Sequence, residues 1–383
     1  MARPLGAVRL RKANSAVLAV GVALVLFVLL LVISSSTPDF SPARKAAAAL
    51  HPLSPPTSPF RKSPAGAMLQ PPPVARYNLN NVTTTARPLE NRENILLLTP
   101  MARFNPAYWD NLLRLSYPHE LITLGFILPR TREGNLATRE LQKRIAHVQT
   151  QAPERDRFKS VVVLREDLDP ALSPLASQDE RERHQLARQK ARRAAMAKAR
   201  NALLVSTLGP STSWVLWLDA DVVETPPALI QDLARHDKPI VVPNCFQRFY
   251  NARTQAMDER PYDFNNWIDS DAARELASAM GPDDVLFEGY AEMATYRTLM
   301  AYLAKDDDND DDEGERDLHE EVLLDGVGGA ALLVKADVHR DGAMFPAFPF
   351  YHLLETEGFA KMAKRLGWEA VGLPNYKVYH YNE

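Results

Sequence analysis

The sequence predicts an α/β domain built on a mostly parallel central sheet with helices on both faces. Three observations predict it. From residue 93 onward, short apolar runs alternate with longer stretches of helical character. One run, Trp214 to Leu218, is bounded by polar residues and stops at Asp219-Ala220-Asp221. The roughly 290 residues of 93–383 suit one large domain, or one domain with a small annex.

In chain order, residues 1–12 form a basic tail with Arg3, Arg9, Arg11 and Lys12. Ala16 to Ile33 is apolar and uncharged, about as long as the shortest membrane spans. Residues 13–33 therefore read as a single N-terminal transmembrane helix, a signal-anchor. The basic tail stays cytosolic and the rest of the chain faces a lumen. A cleaved secretory signal is the rival reading. The run is longer than a usual signal core, and no small-x-small site stands out before Ser34-Ser35-Ser36, so the anchor is preferred.

Residues 34–92 hold 11 of the 29 prolines and show almost no periodic apolar pattern. Such a segment buries too little surface to offset its ordering entropy, and it reads as a stem. Asn81-Val82-Thr83 is a glycosylation sequon within it.

In residues 93–383, Ile95–Pro100 reads as the first strand, ended by its proline. Leu121–Leu128 reads as the second, Leu136–Val148 as a helix, and Ser160–Leu164 as the third strand. Glu180–Leu208 is a long helix rich in Ala, Arg and Lys. The strand ending at Asp219, Ile240–Pro243 and Ala330–Val334 follow. The lone Cys245 excludes an intrachain disulfide. The formal charge of -3 conceals seven acids in 306–313. Neither sign of charge argues for nucleic acid. The acidic run lacks the Gly and Glu spacing of a calcium loop and reads as a solvated acidic surface loop.

Folding does not ask for two carboxylates at the mouth of a hydrophobic strand. Unpaired buried carboxylates are costly, so such a pair meets water, a cation or a metal. Ligands of open α/β sheets bind beyond the carboxyl ends of strands. Asp219 and Asp221 there can hold a hard divalent ion and, through it, the phosphates of a nucleotide-sugar donor. The plainer reading is a capped strand end leading into a turn before Pro226-Pro227.

Further blocks carry a resemblance. They are Leu98-Thr99-Pro100-Met101-Ala102-Arg103-Phe104, Tyr117-Pro118-His119-Glu120-Leu121-Ile122, Ala197-Lys198-Ala199-Arg200-Asn201-Ala202-Leu203, Val327 to Gly342, Glu355 to Lys364, and Tyr379-His380-Tyr381-Asn382-Glu383. With Trp217-Leu218-Asp219-Ala220-Asp221, they resemble the fungal Golgi α-1,6-mannosyltransferases that form the subunits of mannan polymerase. The resemblance covers essentially all of 93–383. It implies a GT-A-like fold, GDP-mannose as donor, Mn²⁺ as the metal and retention of anomeric configuration. It further implies a mannosylated N-glycan acceptor, homologous subunits in a hetero-oligomer, and a Golgi membrane address with a lumenal catalytic domain. The acidic insertion and the Ala/Pro-rich stem depart from the family without touching a motif.

On this reading Asp221 is the metal ligand, and Asp219 meets ribose or the metal through water. The resemblance adds His380 as a further ligand, and imidazole with oxygen ligands suits Mn²⁺. Without it, His380 reads as a residue of an aromatic tail. Thr99, Pro100 and Arg103 follow the first strand, where a nucleotide base would lie; a plain turn is the alternative. Arg200 and Asn201 resemble a recurrent donor-side pair, within a basic run that otherwise reads as a solvated helix face. Gly328 and Gly329 precede a strand instead of opening a helix, which rules out a dinucleotide fingerprint. They are assigned to the sugar–acceptor interface, with a tight turn as the alternative. Glu288, Glu292, Glu355 and Glu357 are the remaining acids for base or nucleophile work. Glu357 is placed with the catalytic group, with acceptor binding or helix capping as its alternatives.

Overall fold

The computed structural model describes residues 76–166, 186–304 and 317–382. The basic tail, the expected membrane anchor, most of the expected stem, the start of the expected long helix and the acidic run 306–313 lie outside the described residues. Among the described residues, no helix is long and apolar enough to cross a membrane.

The elements run in order: β1 (Asn94–Pro100), α1 (Pro106–Leu113), β2 (Ile122–Pro129), α2 (Arg132–Gln151), β3 (Ser160–Glu166), α3 (Leu186–Thr207), β4 (Thr212–Leu218), β5 (Val222–Glu224) and α4 (Leu229–Ala234). Then come β6 (Ile240–Asn251), β7 (Ala256–Pro261), β8 (Trp267–Ile268), α5 (Asp271–Ser278) and β9 (Thr298–Leu299). β10 (Val322–Leu324), β11 (Ala331–Lys335), α6 (Ala336–Arg340), α7 (Glu355–Arg365) and β12 (Ala370–His380) complete the chain.

Local chemistry sets several boundaries. The Asn105 side chain accepts the Ala107 amide, and Pro106 opens α1 with its φ already suited to a helix. Thr131 caps α2 through the Gly134 amide. Residues just before β1 are already tied to the domain. The Thr84 hydroxyl donates to the Ser213 carbonyl, and Tyr117 donates to the Pro88 and Glu93 carbonyls. Asn81 is exposed in the short turn Leu79–Asn81.

The sheet order is β10-β12-β6-β11-β4-β1-β2-β3, with β5 beside β12 and β7 beside β6. β1–β2, β1–β4, β2–β3 and β6–β12 are parallel. β11 runs antiparallel between β4 and β6, and β10, β5 and β7 are antiparallel to their partners. The mostly parallel sheet of the sequence reading is therefore a mixed one. The reason is the direction of β11. It enters from the end of the sheet where β4 stops, and the Asp219 amide donates to the Ala330 carbonyl at 2.9 Å.

Helices do cover both faces. Alternation along β1 sends Ile95 and Leu97 into one core and Leu96 and Leu98 into the other. Along β4, Trp214, Leu216 and Leu218 join the first core, while Val215 and Trp217 join the second. The first core is closed by Trp109 and Leu112 of α1, Leu141 of α2 and Ile230 and Leu233 of α4. The second is closed by Leu203 of α3, Val338 of α6 and Phe359 and Ala363 of α7.

Candidate active site

The acidic pair sits where the buried strand β4 gives way to a turn. The Val222 amide donates to the Asp219 carbonyl at 3.0 Å, and the chain continues into β5. β5 pairs with the end of β12, setting His380 opposite Val222. The Tyr381 amide donates to the Asp221 carbonyl at 2.7 Å. The last strand thus carries His380 to the acidic turn, 159 residues after Asp221 (380 minus 221). The imidazole stacks on Tyr262, ring centres 3.8 Å apart at 18°, and its Nδ1 lies 2.7 Å from the Tyr381 carbonyl.

The buried Cys245 thiol of β6 marks the same place from below. Burial pushes it well up, and the Asp263 and Asp219 carboxylates push the same way. A hydrogen bond with the His380 backbone pulls it back.

Asp219 is held from the helix side. Arg200 of α3 is only 2 % exposed and donates from Nη2 to Asp219 Oδ1 at 2.8 Å. Its Nε donates to Glu355 Oε1 at 2.8 Å. The guanidinium lies over Trp217 and Phe345, 5.4 and 5.7 Å from the ring centres. Its Nη1 is buried and has no hydrogen-bond partner among the described residues. Burial pushes the Asp219 carboxyl up to about 6, against the pull of Arg200. The Asp219 side chain is still 36 % exposed, and the Asp221 carboxylate accepts no hydrogen bond from the described residues.

The other sequence candidates divide by environment. Thr99 is fully buried, and its hydroxyl lies 2.5 Å from the Tyr108 hydroxyl, so its polar atom serves the core. Pro100 is half-buried and Arg103 is exposed at the end of β1. Asn201 is spent on the backbone of Phe345: it donates to the carbonyl at 2.7 Å and accepts from the amide at 3.0 Å. Of the expected donor-side pair, Asn201 is thus turned to the Phe345 backbone and Arg200 to Asp219.

Gly328 and Gly329 are close-approach glycines. A Cβ on Gly328 would fall 1.8 Å from the Asp263 carboxylate, and one on Gly329 2.6 Å from Arg200 Nη2. The Gly328 amide donates to Asn266 Oδ1 at 2.8 Å. These glycines let the strand-start segment lie against Arg200 and Asp263.

Glu357 is fully buried in α7. It forms an ion pair with Arg193, and its Oε1 accepts from Trp267 Nε1 at 2.8 Å. Arg297 approaches the same oxygen at 3.9 Å, lies over the Trp267 ring, and pairs with Glu288 at 2.7 Å. Burial pushes the Glu357 carboxyl up, against the two arginines. A carboxylate with both oxygens engaged in a dry network positions other groups. Glu288 is likewise committed to Arg297 and Thr295, while Glu292 is exposed.

The sequence reading missed Asp263. It is buried against Gly328, with Oδ1 accepting from the Asn265 amide and side chain. It lies in a loop with no periodic signal. Glu355 was named among the candidate acids, and only the fold shows it on Arg200.

A divalent ion can be tested against this arrangement. No group of three or more His, Cys, Asp or Glu side chains is gathered to hold a metal among the described residues. Asp219 already shares an oxygen with Arg200. Asp221 lies in the turn after β4, where its carbonyl accepts from the amide of Tyr381, the residue after His380. One carboxylate and one imidazole are too few for a resident ion. They fit an ion that shares its shell with water and substrate phosphates, as Mg²⁺-type sites do.

Comparison with known proteins gives the family. The Anp1 family model matches residues 73–349. The chain is similar to the mannan polymerase complex subunit MNN9 of Candida albicans, 54% identical over 310 residues, 81% of this chain and 80% of that protein. It is 53% identical to mannan polymerase complex subunit mnn9 of Schizosaccharomyces pombe over 307 residues, 80% of this chain and 86% of that one. Among solved structures, the mannosyltransferase PcManGT from Pyrobaculum calidifontis, in complex with GDP-Man and Mn2+, aligns with 75% of this chain and 56% of its own. With 12% identity and a TM-score of 0.38, that likeness is too slight to bear on chemistry. On the span of the family match and on identity above one half across four fifths of its length, the chain belongs to the Anp1 family.

Proposed function

We propose that this protein is a mannosyltransferase that moves mannose from GDP-mannose to a mannosylated N-glycan acceptor in α-1,6 linkage with retention. It works on the lumenal side of the Golgi membrane, within a hetero-oligomer of homologous subunits. The observation that carries the reading is the backbone link between Asp221 and the strand that bears His380, which brings the end of that strand to the turn holding the acidic pair. Subunit names among its relatives support the mannan context.

Asp221 and His380 would hold Mn²⁺ together with the donor diphosphate, and Asp219 would contribute its second oxygen or meet the ribose. The ion would neutralise charge on the departing diphosphate, which removes the need for a general acid. Arg200 fixes Asp219 from beneath, and Trp217 and Phe345 fix Arg200. The Glu357 network holds α7, and with it Glu355, against α3. Thr99, through Tyr108, ties the end of β1 to α1, and Pro100 and Arg103 at that end would lie near the base.

A panel of nucleotide sugars offered to the lumenal part with mannobiose, in Mn²⁺ and in EDTA, tests the reading. Transfer from GDP-mannose alone, abolished by EDTA, is expected. A second reading, a non-catalytic subunit that organises a mannan polymerase, is favoured by one observation. One oxygen of Asp219 is already paired with the buried Arg200. A folded protein that binds its partner subunits yet binds no GDP in Mn²⁺ would favour it.

A further inference from the structure

We propose that Glu355 is a positioning residue of the donor site: it holds the Arg200 guanidinium so that only one oxygen of Asp219 is covered, leaving the other free for the donor or its ion. This rests on reading the strand ends as a donor site.

A guanidinium facing a carboxylate ordinarily forms a two-pronged fork onto both oxygens. Arg200 does not. Its Nη2 donates to Asp219 Oδ1 at 2.8 Å, while its Nε is spent on Glu355 Oε1 at 2.8 Å. Nη1, which would complete a fork, has no partner and is buried. Asp219 Oδ2 accepts no hydrogen bond from the described residues. The cation is therefore shared. One carboxylate is 12 % exposed and the other, at the mouth, 36 %. If neutralising a buried arginine were the only need, the Asp219 fork would meet it.

The backbone that delivers Glu355 points the same way. Glu355 sits at φ 51°, and Tyr351 and His352 sit at 53° and 62°. Left-handed backbone at three residues with side chains is strained, and persists only where the surroundings over-determine it. Here they do. Phe350 and Leu353 exchange two backbone hydrogen bonds, the Glu355 amide donates to Pro346, and Leu286 donates to His352. The strain holds one carboxylate on Arg200 Nε. Gly329, with no Cβ, leaves the guanidinium its room.

The test compares the parent with Glu355→Gly and Glu355→Gln. Glycine accepts the left-handed backbone, so Glu355→Gly removes the carboxylate while suiting the loop. Glutamine keeps an acceptor for Nε. Calorimetric titration of GDP, with Mn²⁺ and with EDTA, gives the first readout. Glu355→Gly should weaken Mn²⁺-supported GDP binding roughly 10- to 100-fold and leave EDTA binding unchanged. Glu355→Gln should rescue most of the loss. Crystal structures of the unliganded parent and of Glu355→Gly give the second readout, with Arg200 expected to fork onto both Asp219 oxygens only in the variant. Glu355→Asn carries the same comparison if the glycine variant does not fold. The proposal is overturned if Arg200 keeps its single contact without Glu355, or if Glu355→Gly binds Mn²⁺ and GDP as tightly as the parent. A parent that binds no GDP in Mn²⁺ would sink the donor-site reading instead, and the crystal comparison would still decide the positioning.

Discussion

Tyr381 and Asp221 are joined backbone to backbone, the amide of one donating to the carbonyl of the other at 2.7 Å. Nothing in the side chain of either residue is used. The turn that offers the Asp221 carboxylate is therefore shaped by the last strand, and either side chain can be changed without cutting that link. This makes substitutions at the turn readable as chemistry and not as unfolding.

Asp221→Ala should abolish Mn²⁺-supported GDP binding and transfer, and leave the donor-free melting temperature within a few degrees of the parent. The Asp221 carboxylate accepts no hydrogen bond from the described residues, so little folding energy is lost with it. Calorimetry in Mn²⁺ beside a thermal melt checks both halves. A variant that binds donor normally would remove Asp221 from the site.

His380→Ala should weaken Mn²⁺-dependent GDP binding and spare binding in EDTA. It also removes the stack on Tyr262, so His380→Phe is the useful partner, keeping a ring without a ligand nitrogen. If the phenylalanine variant binds as the parent does, His380 serves only by stacking.

Asp219 gives a pH dependence with a definite sign. Its carboxyl rises from an ordinary 3.8 to about 6, chiefly through burial. A raised carboxyl takes up protons on folding between those values, so its contribution to stability falls as pH climbs from about 4 to about 6 and is constant above. Asp219→Asn should remove that slope, visible as a melting-temperature difference from the parent that changes only in this window. Donor binding in Mn²⁺ should fall as pH drops through about 6, because a ligating or ribose-binding Asp219 must be ionised. A variant that tracks the parent at every pH would refute the shift.

Glu357→Ala should cost about 3–5 kcal/mol of stability, the usual effect of breaking a buried pair from one side. It strands Arg193 and leaves Trp267 Nε1 without its acceptor. Chemical denaturation measures it. Unfolding at the parent's midpoint would mean that the network relaxes around the loss.

Gly328→Ala should be poorly tolerated, since its Cβ would meet the Asp263 carboxylate at 1.8 Å. Gly209→Ala is the control: its Cβ would meet only the Thr212 hydroxyl, at 3.8 Å. Equal melting temperatures for the two variants would show that Asp263 can move aside.

The strands of 94–166 and the strand before Asp219 were legible within a residue or two. The runs of β1, β2 and β4 are buried on both faces, and the edge strand β3 still carries an unbroken apolar run from Val161 to Leu164. The direction of β11 was not legible, because Ala331 to Lys335 reads the same whichever way its neighbours run. β6 and β7 extended beyond expectation as a hairpin whose outer half is exposed and polar, without a buried face to impose alternation. At the site, motif and resemblance pointed to Asp219, Asp221 and His380, and the fold brings the backbone segments that carry them to one end of the sheet. The partners of Glu355 and Glu357 were not legible. The two glutamates differ by two positions in one helix, yet one meets Arg200 and the other Arg193, partners 155 and 164 residues away. No local pattern carries pairing over that distance.

The placement of β4 has a consequence for how this protein is made. Its neighbours are β1, registered from Asn94 against Thr212, and β11, from Ala331 against Leu218. Each lies more than a hundred residues along the chain, one before and one after. Pairings so distant close slowly, because the entropy of a large loop is lost before any contact is gained. As the chain emerges from the ribosome, Trp214 to Leu218 can find β1 but must wait for β11. Until then one edge of a strand that ends up fully buried stays open to other chains. Refolding from denaturant should accordingly be slow and concentration-sensitive, and co-expression with a partner or a holdase should raise the yield of folded protein more than any change at the strand ends.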